Sequence, residues 1–206
     1  MPEILKRKQV QLIAKSLISF EPSFFEINED YEVIFFSSIR SAQFFLEKKD
    51  LKEGVKVACF GTETSIKLQK MGINPSFIGE NSSNPIEVAN KFKSWLQNRK
   101  VIFPHSDHSF HSISKLLNQS QVINVQVYQT NYIQKIIPPC DLYIFSSPSN
   151  LESFKLKNIL KINSNVIAWG KSTEDQLLKY KIPLMKVLQT GTLNELETYI
   201  SNLISI

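Results

Sequence analysis

Small hydroxyl residues and glycines stand in this sequence where predicted strands end and helices begin. Ser37 and Ser38 follow the apolar run 33–36, and Gly61 closes a second apolar run. In open parallel sheets, ligands bind beyond the carboxyl ends of the strands. Glycine allows the backbone to approach a ligand, and the first N–H groups of a helix attract anions. These residue types therefore favour a ligand that carries carboxylates or phosphates. The set comprises Ser37, Ser38, Gly61, Thr62, Thr64, Ser146, Ser147, Ser149, Gly170 and Thr173.

Helix capping is a purely structural interpretation of the same residues. A serine or threonine before a helix accepts a hydrogen bond from a first-turn N–H group and so stabilises the helix. Capping accounts for any one of these residues taken alone. For the repeated set, capping and ligand binding both stay open. Each copy of the repeat would form a polar rim at the ends of its strands, and two such rims facing each other would bind a ligand with several anionic groups.

Three histidines offer a competing chemistry, but their spacing argues against a metal site. His105, His108 and His111, with Asp107 among them, would not all lie on one helical face, and no cysteine is near. The sequence has no phosphate-binding loop, no dinucleotide fingerprint after a strand and no nucleophile elbow. No pair of carboxylates stands out as an acid–base couple. We therefore expect no metal, and neither nucleotide-dependent nor hydrolytic chemistry.

The net charge of +5 arises from 24 lysines and arginines against 19 acidic residues. The lysines are scattered, and the densest basic group, residues 6–8, is too short for a nucleic-acid-binding arm. The excess is either a solvated surface or a mild positive field that attracts a small polyanion. We expect no nucleic-acid partner.

Cys59 and Cys140 lie in apolar runs and are too few for a disulfide framework, which indicates buried, reduced thiols. Charged residues at positions 6–8 and Lys15 leave no apolar segment for a signal peptide. No apolar run approaches the ~20 residues of a membrane span. The expected location is the cytoplasm, without membrane association.

The elements that must position the candidate residues occur twice, at an offset of 109 positions. The words EVIFFSS at 32–38 and DLYIFSS at 141–147 align without a gap, as do VACFG at 57–61 and VIAWG at 166–170. Two copies are too few for a solenoid, so the sequence predicts a pair of similar domains.

Each copy has the pattern of an α/β unit. A continuous apolar run predicts a strand buried on both faces. Ser38 or Ser147 is expected to cap the next helix, and Thr64 or Thr173 to open the helix after the glycine. Strands that alternate with helices predict a doubly wound parallel sheet. The other predicted elements are strands 100–104, 122–128 and 184–188 and helices 85–97, 108–117 and 193–204.

These motifs, in this order, resemble the uroporphyrinogen-III synthase family. That family has a strand ending in a Thr/Ser-Ser-Pro-like turn and a strand ending in Gly-x-x-Thr, each present twice. The resemblance covers about residues 10–206. The segments that carry it are SLISF at 16–20, FSSIR at 36–40, GTET at 61–64, VIFP at 101–104, VYQT at 127–130, FSSPS at 145–149 and GKST at 170–173.

The resemblance implies two similar flavodoxin-like parallel-sheet domains joined by a two-stranded linker, one domain inserted into the other. Residues 22–128 would form the inserted domain, and residues 1–18 with 131–206 the discontinuous one. The crossings are expected near 16–22 and 126–131.

Family members begin with a strand and a helix, whereas this chain starts at Met1 near the expected end of that helix. The first strand of the discontinuous domain is therefore expected to be missing. Residues 10–18 are expected to form a strand of that domain, whose sheet should be one strand shorter than the other.

By the same resemblance, the chain is a cyclising hydro-lyase of haem biosynthesis. Hydroxymethylbilane, an open tetrapyrrole with carboxylate arms, loses its terminal hydroxyl as water and closes to uroporphyrinogen III with its terminal pyrrole ring inverted. Folding the bilane into a reactive conformation supplies part of the ~7–11 kcal/mol available from positioning. The implied reaction needs no cofactor.

The resemblance makes Tyr128 the implied proton donor to the departing hydroxyl, because a phenol stays protonated at neutral pH. A tyrosine that only packs is equally compatible with the sequence. The implied substrate-binding residues are Ser37, Ser38, Arg40, Gly61, Thr62, Thr64, Ser106, Ser146, Ser147, Pro148, Ser149, Gly170, Lys171 and Thr173.

The expected assembly is a monomer that receives hydroxymethylbilane from hydroxymethylbilane synthase. The alternative function, from a different class, is a catalytically degenerate two-domain protein that binds a tetrapyrrole or another polyanion.

Overall fold

The computed structural model describes residues 10–80, 84–109, 111–161 and 163–204. The expectations for the chain start at Met1 and for the basic group at 6–8 lie outside the described residues. Two short 3-10 segments, Ser114–Leu116 and Gln119–Gln121, precede β6. The strands and helices are β1 (Ile18–Pro22), β2 (Val33–Phe36), α1 (Ile39–Leu46), β3 (Lys56–Phe60), α2 (Thr62–Lys70), β4 (Phe77–Gly79), α3 (Pro85–Leu96), β5 (Val101–Ser106), β6 (Val122–Tyr132), β7 (Leu142–Phe145), α4 (Pro148–Lys155), β8 (Asn165–Ala168), α5 (Lys171–Lys179), β9 (Lys186–Val187) and α6 (Leu193–Ile204).

The described residues fall into two compact units. The continuous unit comprises residues 20–130, and the discontinuous unit comprises the described residues up to Ser19 together with those from Asn131 onward. One sheet has the strand order β1-β6-β5-β2-β3-β4, and the other has the order β7-β8-β9. Parallel pairing joins β2 to β3, β2 to β5, β3 to β4, β5 to β6, β7 to β8 and β8 to β9. The protein is therefore of the mixed α/β class, with sheets dominated by parallel pairs.

The strand order in the continuous unit differs from the flavodoxin-like order. In a flavodoxin-like sheet the strands lie side by side in the order 2-1-3-4-5. When β2 to β6 are renumbered 1 to 5 along the chain, they lie in the order 3-2-1-4-5. The continuous unit therefore does not have the flavodoxin-like strand order. The direction of strand addition reverses between β2 and β5, which defines a topological switch point there.

The core of the continuous unit explains why β2 is an unbroken apolar run. Ile34 and Phe36 pack in one cluster with Phe45 of α1, whereas Phe35 packs on the opposite face with Phe92 of α3. The Phe35 and Phe92 rings have centroids 4.7 Å apart. Because side chains alternate between the faces of a strand, helices on both faces require apolar residues at every position.

The internal repeat predicted from the sequence is confirmed by the strand register. Val33 aligns with Lys56 in the β2–β3 pair, and 109 positions later Leu142 aligns with Asn165 in the β7–β8 pair. The helices follow the same offset: α1 and α4 each span 8 residues, and α2 and α5 each span 9. The last described helix, α6, begins at the predicted residue, Leu193.

The prediction of a strand over residues 10–18 is wrong. Residues 10–17 have no regular secondary structure, and β1 begins at Ile18. A groove of about 1190 Å³ lies along this segment and β7, and among the described residues no strand pairs with the outer edge of β7. Within the described part of the chain, neither sheet includes this segment. The described sheet of the discontinuous unit has three strands against six in the other sheet, not one fewer.

The predicted helix over residues 108–117 is also wrong. The described part of this segment contains only the 3-10 turn Ser114–Leu116, and His111 has a left-handed backbone with φ 49°. Side chains compete with the helix for its N–H groups: Asp107 Oδ1 accepts from the His108 N–H, and Ser109 Oγ accepts from the His111 N–H. Such local bonds favour turns over helices.

Three smaller expectations are corrected. The helices after the second strands begin at Thr62 and Lys171 and have Gly61 and Gly170 as N-caps, so neither Thr64 nor Thr173 opens its helix. The strand expected at 184–188 is limited to Lys186–Val187. Cys140 lies before β7 and is only partly buried, whereas burial in β3 raises the pKa of Cys59 to about 11.

Candidate functional site

The first polar rim lies at the carboxyl ends of β2 and β3 in the continuous unit. Ser37 is exposed, and Ser38 caps α1 by accepting a hydrogen bond from the Ser41 N–H at 3.2 Å. Gly61 has φ 85°, a left-handed conformation that favours glycine, and its N–H donates to the Gly79 carbonyl at 2.8 Å. Thr62 is exposed and Thr64 is half-buried. Because Gly61 has no capping side chain, the start of α2 can accept an external anion.

The second rim lies at the carboxyl ends of β7 and β8 in the discontinuous unit. Ser147 caps α4 by accepting from the Asn150 N–H at 3.2 Å, and Pro148 occupies the first turn of that helix. Ser146 is exposed, and Ser149 is half-buried. The prediction that Ser38 and Ser147 are N-caps is therefore confirmed.

Two residues of the second rim differ in what they offer a ligand. Lys171 is exposed, and its ammonium group lies 2.9 Å from Glu174 Oε2 and 3.1 Å from Asp175 Oδ1. Exposed pairs of this kind contribute little to stability, so the lysine can exchange these partners for a ligand carboxylate. Thr173 is only 2% exposed, which argues against direct contact of its side chain with a ligand.

The Tyr128 ring is packed in the core cluster of the continuous unit and is 8% exposed. It stacks on Phe44 with centroids 4.9 Å apart and meets Phe20 edge to face at 5.8 Å. The Arg40 guanidinium lies over the second of these partners, 3.6 Å from the Phe20 centroid. Arg40 therefore lies beside the aromatic group that packs against Tyr128. This placement does not depend on the role of the Tyr128 hydroxyl.

A histidine-lined pocket at the switch point was missed as a site by the sequence reasoning. It has a volume of about 260 Å³ and lies between the ends of β2 and β5. His105, His108 and His111 line it, and the rings of His105 and His111 have centroids 4.6 Å apart. The other lining residues are Phe35, Ser37, Phe60, Phe103, Pro104, Ser109, Ser112, Ile113 and Ser114. Of the predicted site residues, the structure brings Ser37 into this pocket.

Asp107 fixes the loop that carries these histidines. Its backbone N–H donates to the Tyr128 carbonyl at 3.2 Å, and its Oδ1 accepts from the Thr130 N–H at 3.0 Å. Ser106, the last residue of β5, accepts from the His105 ring at 2.7 Å through its carbonyl. The histidine loop is therefore anchored to β6 at the level of Tyr128.

A signal for this pocket was present in the sequence but was tested against the wrong local structure. The histidine spacing prevents a common face only in a helix, and this segment is a loop, in which that criterion does not apply. Among the described residues, no group of three or more His, Cys, Asp or Glu side chains is arranged to hold a metal ion.

Parallel α/β units with polar residues at the strand ends, and a pocket at a topological switch point, are features of the class of α/β proteins that bind ligands at the carboxyl ends of their strands. The particular family is given by sequence. The family model described as Uroporphyrinogen-III synthase HemD matches residues 1–196, and this chain belongs to the uroporphyrinogen-III synthase family. No curated protein matches the chain in sequence.

The fold is shared with solved structures of uroporphyrinogen-III synthases, among them the following two. The uroporphyrinogen-III synthetase from Helicobacter pylori has a TM-score of 0.68 at 16% identity, covering 90% of this chain and 91% of that one. A mutant uroporphyrinogen III synthase from the extremely thermophilic bacterium Thermus thermophilus has a TM-score of 0.56 at 12% identity, covering 92% of this chain and 88% of that one. No helix within the described ranges is long and apolar enough to cross a membrane.

Proposed function

We propose that this chain catalyses the reaction of its family, the cyclisation of hydroxymethylbilane to uroporphyrinogen III. Water is lost, and the terminal pyrrole ring is inverted. The observation that carries this function is the family match over residues 1–196. The protein is thus a cyclising lyase of haem biosynthesis, with hydroxymethylbilane as its substrate.

The proposed architecture is a pair of similar domains, with residues 22–128 inserted into a domain made of residues 1–18 and 131–206. Two backbone bonds support a two-stranded linker, because Ser23 N–H donates to Val127 O and Ile133 N–H donates to Leu17 O. Residue numbers rise along one segment as they fall along the other, as in an antiparallel ladder. The repeated strand register supports the similarity of the domains.

The polar rims are proposed to bind carboxylate arms of the bilane. Helix N-termini favour anions, and Gly61 and Gly170 leave the starts of α2 and α5 without a capping side chain. The exposed hydroxyls of Ser37 and Ser146 add donors at the ends of β2 and β7. The other proposed contacts are Ser38, Arg40, Thr62, Thr64, Ser106, Ser147, Pro148, Ser149 and Lys171.

Tyr128 is proposed to assist departure of the terminal hydroxyl by donating a proton. Its ring is held between Phe20 and Phe44, which limits the positions its hydroxyl can adopt. General acid catalysis contributes typically about 10²–10⁴-fold in rate. The larger task of the protein is to hold the bilane in a conformation from which the inverted ring closes.

The proposed working form is a cytoplasmic monomer that receives its substrate from hydroxymethylbilane synthase. The net charge of +5 supports attraction of a ligand with several carboxylates.

A coupled assay tests the function. Hydroxymethylbilane is generated in the presence of the protein, and the product isomers are separated by chromatography. Enrichment of isomer III over the spontaneously formed isomer I supports the synthase. An unchanged isomer ratio together with bilane binding would instead support the non-catalytic tetrapyrrole-binding alternative.

A further inference from the structure

The switch-point pocket of the continuous unit has the size of a ligand fragment. Its volume of about 260 Å³ is below the roughly 300–1,000 Å³ of pockets that bury a whole drug-sized ligand. An open tetrapyrrole is far larger than such a pocket. One side arm of the substrate fits the available space, and the rest of the molecule must lie outside.

The pocket carries a polar lining without a permanent positive charge. Phe35, Phe60 and Phe103 form apolar walls, and no lysine or arginine is among its described lining residues. An anion that enters this space loses water, and uncompensated burial of a carboxylate is costly. The charge that offsets it has to come from the histidines.

One ring nitrogen of His105 is already bonded to the backbone. Its Nδ1 lies 2.7 Å from the Ser106 carbonyl oxygen, and a carbonyl only accepts, so Nδ1 carries a proton. Proton uptake therefore occurs at Nε2, which becomes a donor only when the ring is charged. Burial lowers the pKa of His105, with the Ser106 bond opposing this effect, His111 adding to it and Asp107 opposing it.

His111 is held beside His105 in an unusual backbone conformation. Its φ of 49° lies in the left-handed region, which non-glycine residues adopt at a cost and which clusters at ligand-binding sites. Ser114, which is buried behind it, bonds its Nδ1 at 3.4 Å. The turn at His111 brings its ring within 4.6 Å of the His105 ring centroid.

We propose that this pocket is a carboxylate subsite that holds one side arm of the tetrapyrrole, and that His105 takes up a proton when the carboxylate enters. The proposal rests on the proposed function for the identity of the whole ligand. His111 adds a ring nitrogen of its own to the subsite, and Ser37 adds a hydroxyl from the end of β2.

The titratable groups near His105, within the part of the chain that the structure describes, belong to one loop. They are His111, His108 and Asp107; β2 and β3 contribute only Phe35, Ser37 and Phe60, which carry no charge. An entering carboxylate therefore acts on the histidines of this loop, among which His105 has its Nδ1 bonded to a backbone carbonyl. For one linked proton, affinity falls up to about tenfold per pH unit once the pH exceeds the pKa of the free ring.

The test uses a small pyrrole in place of the substrate. Pyrrole-3-propionate is titrated into the intact protein while the histidine ring signals are followed by NMR between about pH 5.5 and 8. Pyrrole-3-propionamide, which has the same shape without the charge, is the matched ligand control. We expect the carboxylate to bind more tightly at low pH and to move the His105 titration to higher pH.

Two variants sharpen the result. His105→Asn retains an amide donor for the Ser106 carbonyl but cannot take up a proton, and it should weaken propionate binding about tenfold or more and remove its pH dependence. Lys115→Gln removes an exposed charge from the same loop and should leave binding within about twofold if the pocket, not the general field, attracts the anion.

These binding measurements test the proposed subsite without requiring the protein to turn over its substrate. Equal binding of propionate and propionamide, pH-independent binding, or no movement of the His105 signal would overturn the proposal even if the protein makes isomer III. Should His105→Asn fail to fold, the wild-type titration with the two pyrroles still decides it. Failure of the isomer assay with an intact propionate subsite would overturn the synthase reaction alone.

Discussion

Ser38 and Ser147 make the same hydrogen bond in the two copies of the repeat. Ser38 Oγ accepts from the Ser41 N–H at 3.2 Å, and Ser147 Oγ accepts from the Asn150 N–H at 3.2 Å. The two caps stand 109 positions apart, as do the strands before them and the helices after them. Both serines therefore have a structural role, and a ligand role must be measured separately from it.

Replacement of either serine by alanine separates capping from binding. Loss of the cap should lower the free energy of unfolding by about 1 kcal/mol. If the hydroxyl also contacts a substrate carboxylate, KM should rise by an amount corresponding to about 1.5–3 kcal/mol. Urea unfolding and steady-state kinetics on Ser38→Ala and Ser147→Ala give the two quantities. Ser38→Gly, a far milder cap substitution, is the matched control, and an unchanged KM in all three variants would assign the serines to capping alone.

Tyr128→Phe tests the proposed proton donor. The ring contacts with Phe20 and Phe44 are retained in this variant, so stability should change little. Because a proton donor acts chiefly in the transition state, kcat should fall about 10²-fold or more while KM stays near its original value. Single-turnover and steady-state measurements check this. Unchanged kcat would leave Tyr128 with a packing role, and the rest of the proposed function would stand.

The two-unit architecture can be followed by fluorescence because each unit contains one tryptophan, Trp95 or Trp169. Leu68 and Leu177 are equivalent in the repeat and both are fully buried. Leu68→Ala should destabilise the continuous unit, and Leu177→Ala the discontinuous one, by about 2–5 kcal/mol each. The variants are compared in Trp95→Phe and Trp169→Phe backgrounds, so that urea unfolding reports one unit at a time. Equal shifts of both reporters by both substitutions would indicate a single cooperative unit.

Glu195 links the end of the discontinuous sheet to α6. Its Oε1 accepts from the Gln189 N–H at 2.7 Å, and its Oε2 accepts from the Thr190 N–H at 2.8 Å and from the Thr190 hydroxyl at 2.7 Å. The bond from the Gln189 backbone, followed by that from the Thr190 hydroxyl, lowers the pKa of Glu195 from 4.5 to about 2.

A group whose pKa is lowered by folding stabilises the protein above its unfolded pKa, and this contribution is lost as the pH falls toward the folded pKa. Glu195→Gln should therefore be less stable than the wild type at neutral pH, and the difference should shrink as the pH falls below 4.5 toward 2. Urea midpoints across this range measure it. Glu53→Gln, which changes another exposed carboxylate, is the control, and a difference for Glu195→Gln that does not depend on pH would contradict the assignment.

Local features of this fold were predictable from sequence, whereas features set by distant contacts were not. The caps at Ser38 and Ser147 and the strands before them follow from adjacent residues, and so does the helix that begins at Leu193. The strand order depends on which strand lies beside β2, and no local pattern encodes that. Residues 10–17 have apolar content suited to a strand, but a strand is stable only when it pairs with others, and in the described structure neither sheet includes this segment.

The candidate site shows the same division. The polar rims could be found because each lies directly after a predicted strand. The histidines of the pocket are visible in the sequence, but their convergence is not, because it requires the switch point between β2 and β5 and a left-handed turn at His111. Thr173 and Thr64 occupy the same position in the repeat, but Thr173 is buried whereas Thr64 is half-buried, so the repeat does not predict exposure to a ligand.

Whether this chain directs ring closure is measured directly by the isomer ratio of the product. Hydroxymethylbilane should be supplied at a fixed rate with increasing amounts of the protein, and uroporphyrinogens I and III quantified after oxidation to the porphyrins. Isomer III should rise with protein concentration until it is the main product, and heat-unfolded protein should have no effect. A product that stays isomer I at every concentration of folded protein would contradict the proposed function.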